Sequence, residues 1–174
     1  MAKKLPKEVN YLIDKVTTED HESVRPGTRL HMGDLFLYFY DAKYKSVLDV
    51  WDQLPLIILL DIPHGKYILG INIHFIPWTY RIQFIKNIRT KGNRIKYRDI
   101  VKAWKKAKIP EAYAKLAIRK YLVSHIKSNI KIFTDEDDQL EIVKNILPKF
   151  KKKSMSQTYK DIENKIKQQR KKGK

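Results

Sequence analysis

Three polar side chains that flank an aromatic run, Asp34 before it and Asp41 and Lys43 at its end, have the make-up of a metal-dependent nuclease site. In such a site two carboxylates hold Mg²⁺ and a lysine assists the attacking water. The D-x-K triplet is a common one and falls here where a turn is expected, so a Mg²⁺ nuclease stands as one alternative only. A second pair, Asn72 and His74, lies inside "YILGINIHFIP", the most apolar stretch of the chain. Residues two apart on a strand share one side of the pleat, so both would meet the same surroundings, with Ile71, Ile73 and Phe75 opposite. An unpaired buried polar group costs about 1–3 kcal/mol. The pair is therefore read as structural, satisfying backbone groups of a neighbouring loop. With Pro77, Asn72 and His74 are expected to hold the junction at which strand gives way to helix.

Other chemistries lack their residues. There is no P-loop, nucleophile elbow, zinc-protease pair or Gly-rich dinucleotide fingerprint, and the five histidines show no metal-ligand spacing. With no cysteine, thiol catalysis, thiolate zinc sites and disulfides are excluded. No metal or other cofactor is expected, and no catalytic residue. No run of about 18 apolar residues is present to cross a membrane.

Charge supplies the strongest signal. The 174 residues carry a formal +18, unevenly spread. Residues 1–76 hold 9 basic and 10 acidic side chains, residues 77–134 hold 16 and 2, residues 135–148 hold 1 and 5, and residues 149–174 hold 11 and 2. A field segregated in this way points to a polyanion, most often nucleic acid. The alternative is a solvated, lysine-rich surface. The candidate polyanion contacts are Arg81, Arg89, Arg98, Lys102, Lys105, Lys115, Arg119, Lys127, Lys151, Lys152 and Lys153.

The elements that must position these residues follow from periodicity. Residues 6–23 begin with a short amphipathic segment, and "RPGTR" is a turn signal. Residues 34–41, 54–62 and 66–76 read as strands apolar on both faces, the last two joined by "PHG". Such strands need cover on both sides. Pro77 can open a helix, after which Trp78, Ile82, Ile85 and Ile88 make one helical stripe, and Tyr97, Ile100, Val101 and Trp104 a second. The stretch from Pro110 to Ile130 reads as a third helix, 130–133 as a short strand, and Asp135 as the cap of a helix ending near Pro148. Composition makes the segment from Lys149 disordered despite a narrow stripe at Met155, Tyr159, Ile162 and Ile166. The expected fold is α+β, a small antiparallel sheet or partial barrel over about residues 31–76 packed by a C-terminal helical half. The divisions are an N-terminal arm at 1–26, a core domain at 27–148 with its basic helical half at 77–134, and a basic C-terminal tail at 149–174.

Several strings also carry a resemblance. They run in the order Tyr40-Asp41-Ala42-Lys43, then Trp51-Asp52-Gln53-Leu54-Pro55-Leu56, then Gly70-Ile71-Asn72-Ile73-His74-Phe75-Ile76-Pro77 with Arg81 soon after. "IRKYLVSHIKSNI" and "ILPKFKKKSMSQTYKDI" follow. Over about residues 27–162 the chain resembles virion proteins of T-even-related myophages known as DNA end protectors; Trp51 stands where that family would have a tyrosine. The resemblance implies a non-enzymatic virion component, made in the host cytoplasm, that associates with the end of packaged double-stranded DNA. Its neighbours would be portal, neck or tail subunits, with several copies in a ring as one arrangement and no membrane contact. Asn72, His74 and Arg81 match its signature and take a structural role. The competing readings are a baseplate, neck or tail subunit that docks on other virion proteins without DNA, the Mg²⁺ nuclease, and an RNA-binding protein. The last lacks the exposed aromatic pairs and Gly-rich loop of common RNA modules.

Overall fold

Strands with oily side chains on both faces are stable only inside a sandwich of cover. A computed structural model of the chain describes residues 30–62, 66–89, 95–128 and 130–172 and shows how that cover is supplied. The expected amphipathic segment at 6–23, the "RPGTR" turn and the "PHG" link lie outside the described residues. The strands are β1 (Leu35–Leu37), β2 (Trp51–Asp52), β3 (Leu56–Asp61), β4 (Tyr67–Asn72), β5 (Ile118–Leu122), β6 (Lys131–Phe133) and β7 (Phe150–Lys151). Five of them form one open antiparallel sheet in the order β5-β4-β3-β1-β6, while β2 and β7 pair separately. The fold is α+β, and the sheet does not close into a barrel.

The helices are α1 (Trp78–Arg89), α2 (Tyr97–Lys106), the single turn α3 (Ala114–Ala117), α4 (Glu136–Asn145) and α5 (Met155–Lys172). They bury one face of the sheet: Leu35, Leu37, Leu56, Ile58 and Ile71 join Phe84, Ile85, Ile88, Ile100, Ile142 and Ile162 in one cluster. The alternate residues Phe36, Tyr38, Ile57, Leu59, Ile68 and Tyr121 form a second cluster on the opposite face. Their cover there includes Leu48 from the loop before β2 and Trp51 of β2 itself. Gly70 sits where β4 passes close to β3. A Cβ at that position would lie 2.8 Å from the Ile58 carbonyl oxygen, so only glycine keeps this register.

Three expectations are corrected. The run 66–76 is not a strand throughout, because β4 stops at Asn72 and Ile73–Phe75 makes a 3₁₀ turn. Asn72 and His74 thus do not share a pleat. The helix expected from Pro110 ends after α3. Its continuation "IRKYL" becomes the edge strand β5, pairing from Ile118 against Ile71 to Leu122 against Tyr67. The exposed amides of β4 outweigh a helical spacing that Tyr113, Ala117 and Tyr121 satisfied by coincidence. The segment from Lys149, expected to be disordered, adds β7 to β2 and then folds as α5. This helix carries Thr158, Ile162 and Ile166 into the core at 5 % exposure or less. A stripe too narrow for an isolated helix suffices once a core receives it.

Truncation after Ser154 tests that last point. Two isoleucines lost from the core at about 1.5–3 kcal/mol each should lower unfolding stability by several kcal/mol. The midpoint of chemical denaturation reads the loss directly.

Candidate functional site

Helical spacing places Arg98, Lys102 and Lys105 at i, i+4 and i+7, along one face of α2. All three are exposed, as are Lys106 beside them, Lys115 on α3, Lys127, and Lys151 of β7. The outer faces of α5 add Lys160, Lys165, Lys167 and Arg170. Among the described residues the ion pairs are His31–Asp34, Lys45–Asp41, His74–Asp52 and Lys153–Asp161. None of them uses a cation of α2 or α3.

Other expected contacts sit differently. Arg89 closes α1, and its side chain lies outside what is described. Lys153 holds Asp161 at 2.6 Å, so its charge is already matched. The hydrogen bond from Lys153 keeps the Asp161 carboxyl below its usual range. Lys152 is exposed but donates to the carbonyls of Ser46 (3.2 Å) and Leu48 (2.7 Å), clipping the loop that precedes β2. Arg119 is half-buried, donating to the Leu116 carbonyl at 2.7 Å with its guanidinium 4.3 Å from the Phe75 ring centre. Arg81 is the clear correction. At 3 % exposure it cannot reach a phosphate.

Arg81 belongs instead to a polar network inside the protein. Asn72 ends β4 and caps the 3₁₀ turn, its Oδ1 accepting from the His74 amide at 3.0 Å. Its amide nitrogen donates to Asp52 Oδ2 at 3.1 Å and to the Tyr121 hydroxyl at 3.0 Å. His74 Nδ1 lies 2.6 Å from the same carboxylate oxygen, with both side chains fully enclosed. The other oxygen, Oδ1, accepts from the amides of Leu54 (3.1 Å) and Lys149 (3.2 Å). Beyond the turn, Arg81 donates to the carbonyls of Ile76 (2.8 Å) and His74 (3.1 Å) and to the Tyr159 hydroxyl (2.5 Å). Tyr159 in turn donates to the His74 carbonyl at 2.8 Å. Backbone groups at the Pro77 junction are thus held by Arg81, while His74 faces Asp52.

Charge states follow from these partners. Burial alone would raise the Asp52 carboxyl, but the His74 ring and the surrounding donors hold it below its usual value, so it is ionised. Burial depresses His74, against the pull of Asp52, and the positive Arg81 adds to the depression. The ring is therefore neutral, donating through Nδ1–H. Its Nε2 is buried with no partner among the described residues, so a second proton would have no acceptor there. Burial lowers Arg81, and the Tyr159 hydroxyl opposes that. Among the described residues the interior holds one carboxylate and one guanidinium, each multiply hydrogen-bonded.

The two carboxylates of the nuclease alternative each have a partner of their own. Asp41 contacts Lys45 Nζ at 2.6 Å, and Asp34 Oδ2 accepts from the His31 amide at 2.7 Å. Among the described residues no group of three or more histidine or acidic side chains could hold a metal ion. Sequence reasoning gave Asp52 and Tyr159 no role in a site. The available signal for Asp52 was an acid between Trp51 and "QLPLIILL", where an unpaired charge is untenable.

A small α+β protein with a two-faced sheet, a cation-lined helical surface and a buried ionic clamp is the class that this geometry defines. The family model described as Phage T4 terminal DNA protecting protein matches residues 8–170, and the chain belongs to that family. The match begins within the N-terminal segment and includes nearly all of α5, beyond the residues 27–162 that the motifs alone covered. No curated protein and no solved structure matches the chain.

Two outcomes test the clamp. His74→Ala, which removes one of the four donors to the Asp52 carboxylate and leaves a cavity, should cost about 2–4 kcal/mol in denaturant unfolding. A depressed folded-state histidine also means that the unfolded chain binds the extra proton first. Stability should therefore be level above about pH 7 and fall as pH drops below about 6.5, by up to about 1.4 kcal/mol per pH unit. That slope should disappear in His74→Gln.

Proposed function

We propose that this chain is a phage virion protein that binds the ends of double-stranded DNA without sequence preference and catalyses no reaction. The observation that carries this reading is the stripe of Arg98, Lys102 and Lys105 on α2, which together with Lys106 and Lys115 is exposed and free of carboxylate partners among the described residues. Phosphate contacts of this kind fix position and affinity but do not read bases. Family membership supports DNA as the polyanion. In the particle, the protein would sit where the genome end meets portal or neck subunits, several copies around the axis. A buried clamp beneath the helical face suits that task, since it fixes how α1 leaves the sheet and where α5 lies.

A second reading, a neck, baseplate or tail subunit docking on other virion proteins, is favoured by one feature. A groove lined by Pro77, Trp78, Leu147, Pro148 and Met155 leaves Trp78, Leu147 and Met155 between 41 % and 49 % exposed. Exposed apolar side chains in a cluster mark protein contacts. The two readings are compatible.

Duplex affinity measured between about 50 and 200 mM salt separates them, because log K should fall by about 0.9 per phosphate neutralised for each tenfold rise in salt. Replacing Arg98, Lys102, Lys105 and Lys115 by glutamine should flatten that slope by about 3 to 4 with no change in folding. Affinity that ignores both salt and these substitutions would leave only the protein-docking reading.

A further inference from the structure

Phosphate contacts alone cannot distinguish a DNA end from the middle of a duplex, because the backbone looks the same at both. If the reading above holds, some other part of the molecule must recognise the terminus. The side of the sheet that no described helix covers carries a suitable feature. It is a cleft of about 300 Å³ between the loop before β2 and the edge strand β5.

The lining combines two kinds of group. Tyr44, Trp51, Tyr67 and Tyr121 supply aromatic surface, and Lys43, Arg119 and Lys120 supply positive charge. The cations sit on the rings. Lys120 Nζ lies 3.9 Å from the Tyr67 ring centre and Lys43 Nζ lies 5.3 Å from that of Tyr44. The deep wall is rigid, since Tyr121 packs edge-on against Tyr40 at 5.0 Å and accepts from Asn72. The outer wall is the loop that Lys152 clips through Ser46 and Leu48, with Tyr44 59 % exposed on it. Asp52 also reaches the cleft, but its two oxygens already accept from Leu54, Lys149, Asn72 and His74, so its charge is held by protein donors.

We propose that this cleft takes the unpaired terminal nucleotide of a DNA strand, the base stacking on the aromatic wall and its phosphate meeting Arg119, Lys120 and Lys43. A base has a π-face whatever its identity, so stacking is sequence-tolerant. The cleft is too small for a duplex and admits one nucleotide at a time. Bringing a base out of the stack costs a few kcal/mol within a duplex and least where the base is already unpaired. A pocket of this kind therefore converts a general phosphate binder into an end binder. The α2 stripe would hold the duplex backbone, and the cleft would hold the terminus.

The test compares the full chain on a relaxed covalently closed DNA circle and on the same circle cut once to leave short unpaired ends. The cut form should bind roughly tenfold more tightly, in keeping with one stacked base. Tyr44→Ala, on an exposed side chain, and Trp51→Ala should erase that preference while binding the closed circle as before. Trp51→Phe, which keeps a stacking ring, should retain it. Free deoxyadenosine 5′-monophosphate should displace the cut end only weakly. Equal binding of both forms by the unaltered chain, or an end preference that survives both alanine variants, overturns the cleft assignment and leaves the phosphate-binding reading intact. A free nucleotide that binds as tightly as the strand end also overturns it. Failure to bind either form overturns both.

Discussion

One buried carboxylate organises this molecule. The Asp52 side chain is enclosed by protein, and an ion in that position persists only when every lone pair finds a donor. Its donors come from four places in the chain: the Leu54 amide after β2, Asn72 at the end of β4, His74 in the 3₁₀ turn, and the Lys149 amide leading into β7. The requirement to satisfy one side chain therefore ties the centre of the sheet to the segment that brings back α5. Arg81 and Tyr159 extend the same logic, meeting at the His74 carbonyl from α1 and α5. Burying an ionic group is not an efficient route to stability. A hydrophobic replacement of similar shape often does as well, whereas removal of one partner is costly. What such a group supplies is geometry, because the hydrogen bonds are directional and admit one arrangement.

That geometry separates two surfaces. On one side of the sheet, helices cover the core and present cations outward. On the other, the loop before β2 and the edge strand β5 enclose an aromatic cleft that Asp52 and Tyr121 help to line. The same residues contribute to both, since Asn72 bonds Asp52 and also Tyr121 of the cleft wall. Arg81 shows how the interior competes with the surface for charge. By residue type it resembles its neighbours on α1, yet its guanidinium is absorbed by two carbonyls and a hydroxyl. A formal count of lysines and arginines consequently overstates the charge available to a partner.

Much of this was legible in the residues. The α+β class, three of the central strands, the α4 cap at Asp135 and the short strand β6 all follow from periodicity and turn chemistry, because those signals are local. So does the outward placement of Arg98, Lys102 and Lys105, which helical spacing alone dictates once Ile100 and Ala103 face inward. The string around Gly70, Asn72 and His74 carried the family resemblance, and its polar pair marked a place where burial needed partners. The identity of those partners was not legible. Asp52 lies 22 residues from His74, and Lys149 lies 97 from Asp52, so no spacing rule connects them.

The amino-acid sequence by itself determined the local preferences of the chain, its uneven charge and the family it resembles, since these depend on residues near one another or on composition. Only the tertiary structure decided that "IRKYL" becomes a strand, that the C-terminal segment folds, and that Arg81 turns inward. Each of these outcomes rests on an unpaired edge, an open apolar surface or a buried carbonyl presented by a distant part of the chain. Satisfying such a group is worth more than the weak intrinsic preference of a short segment.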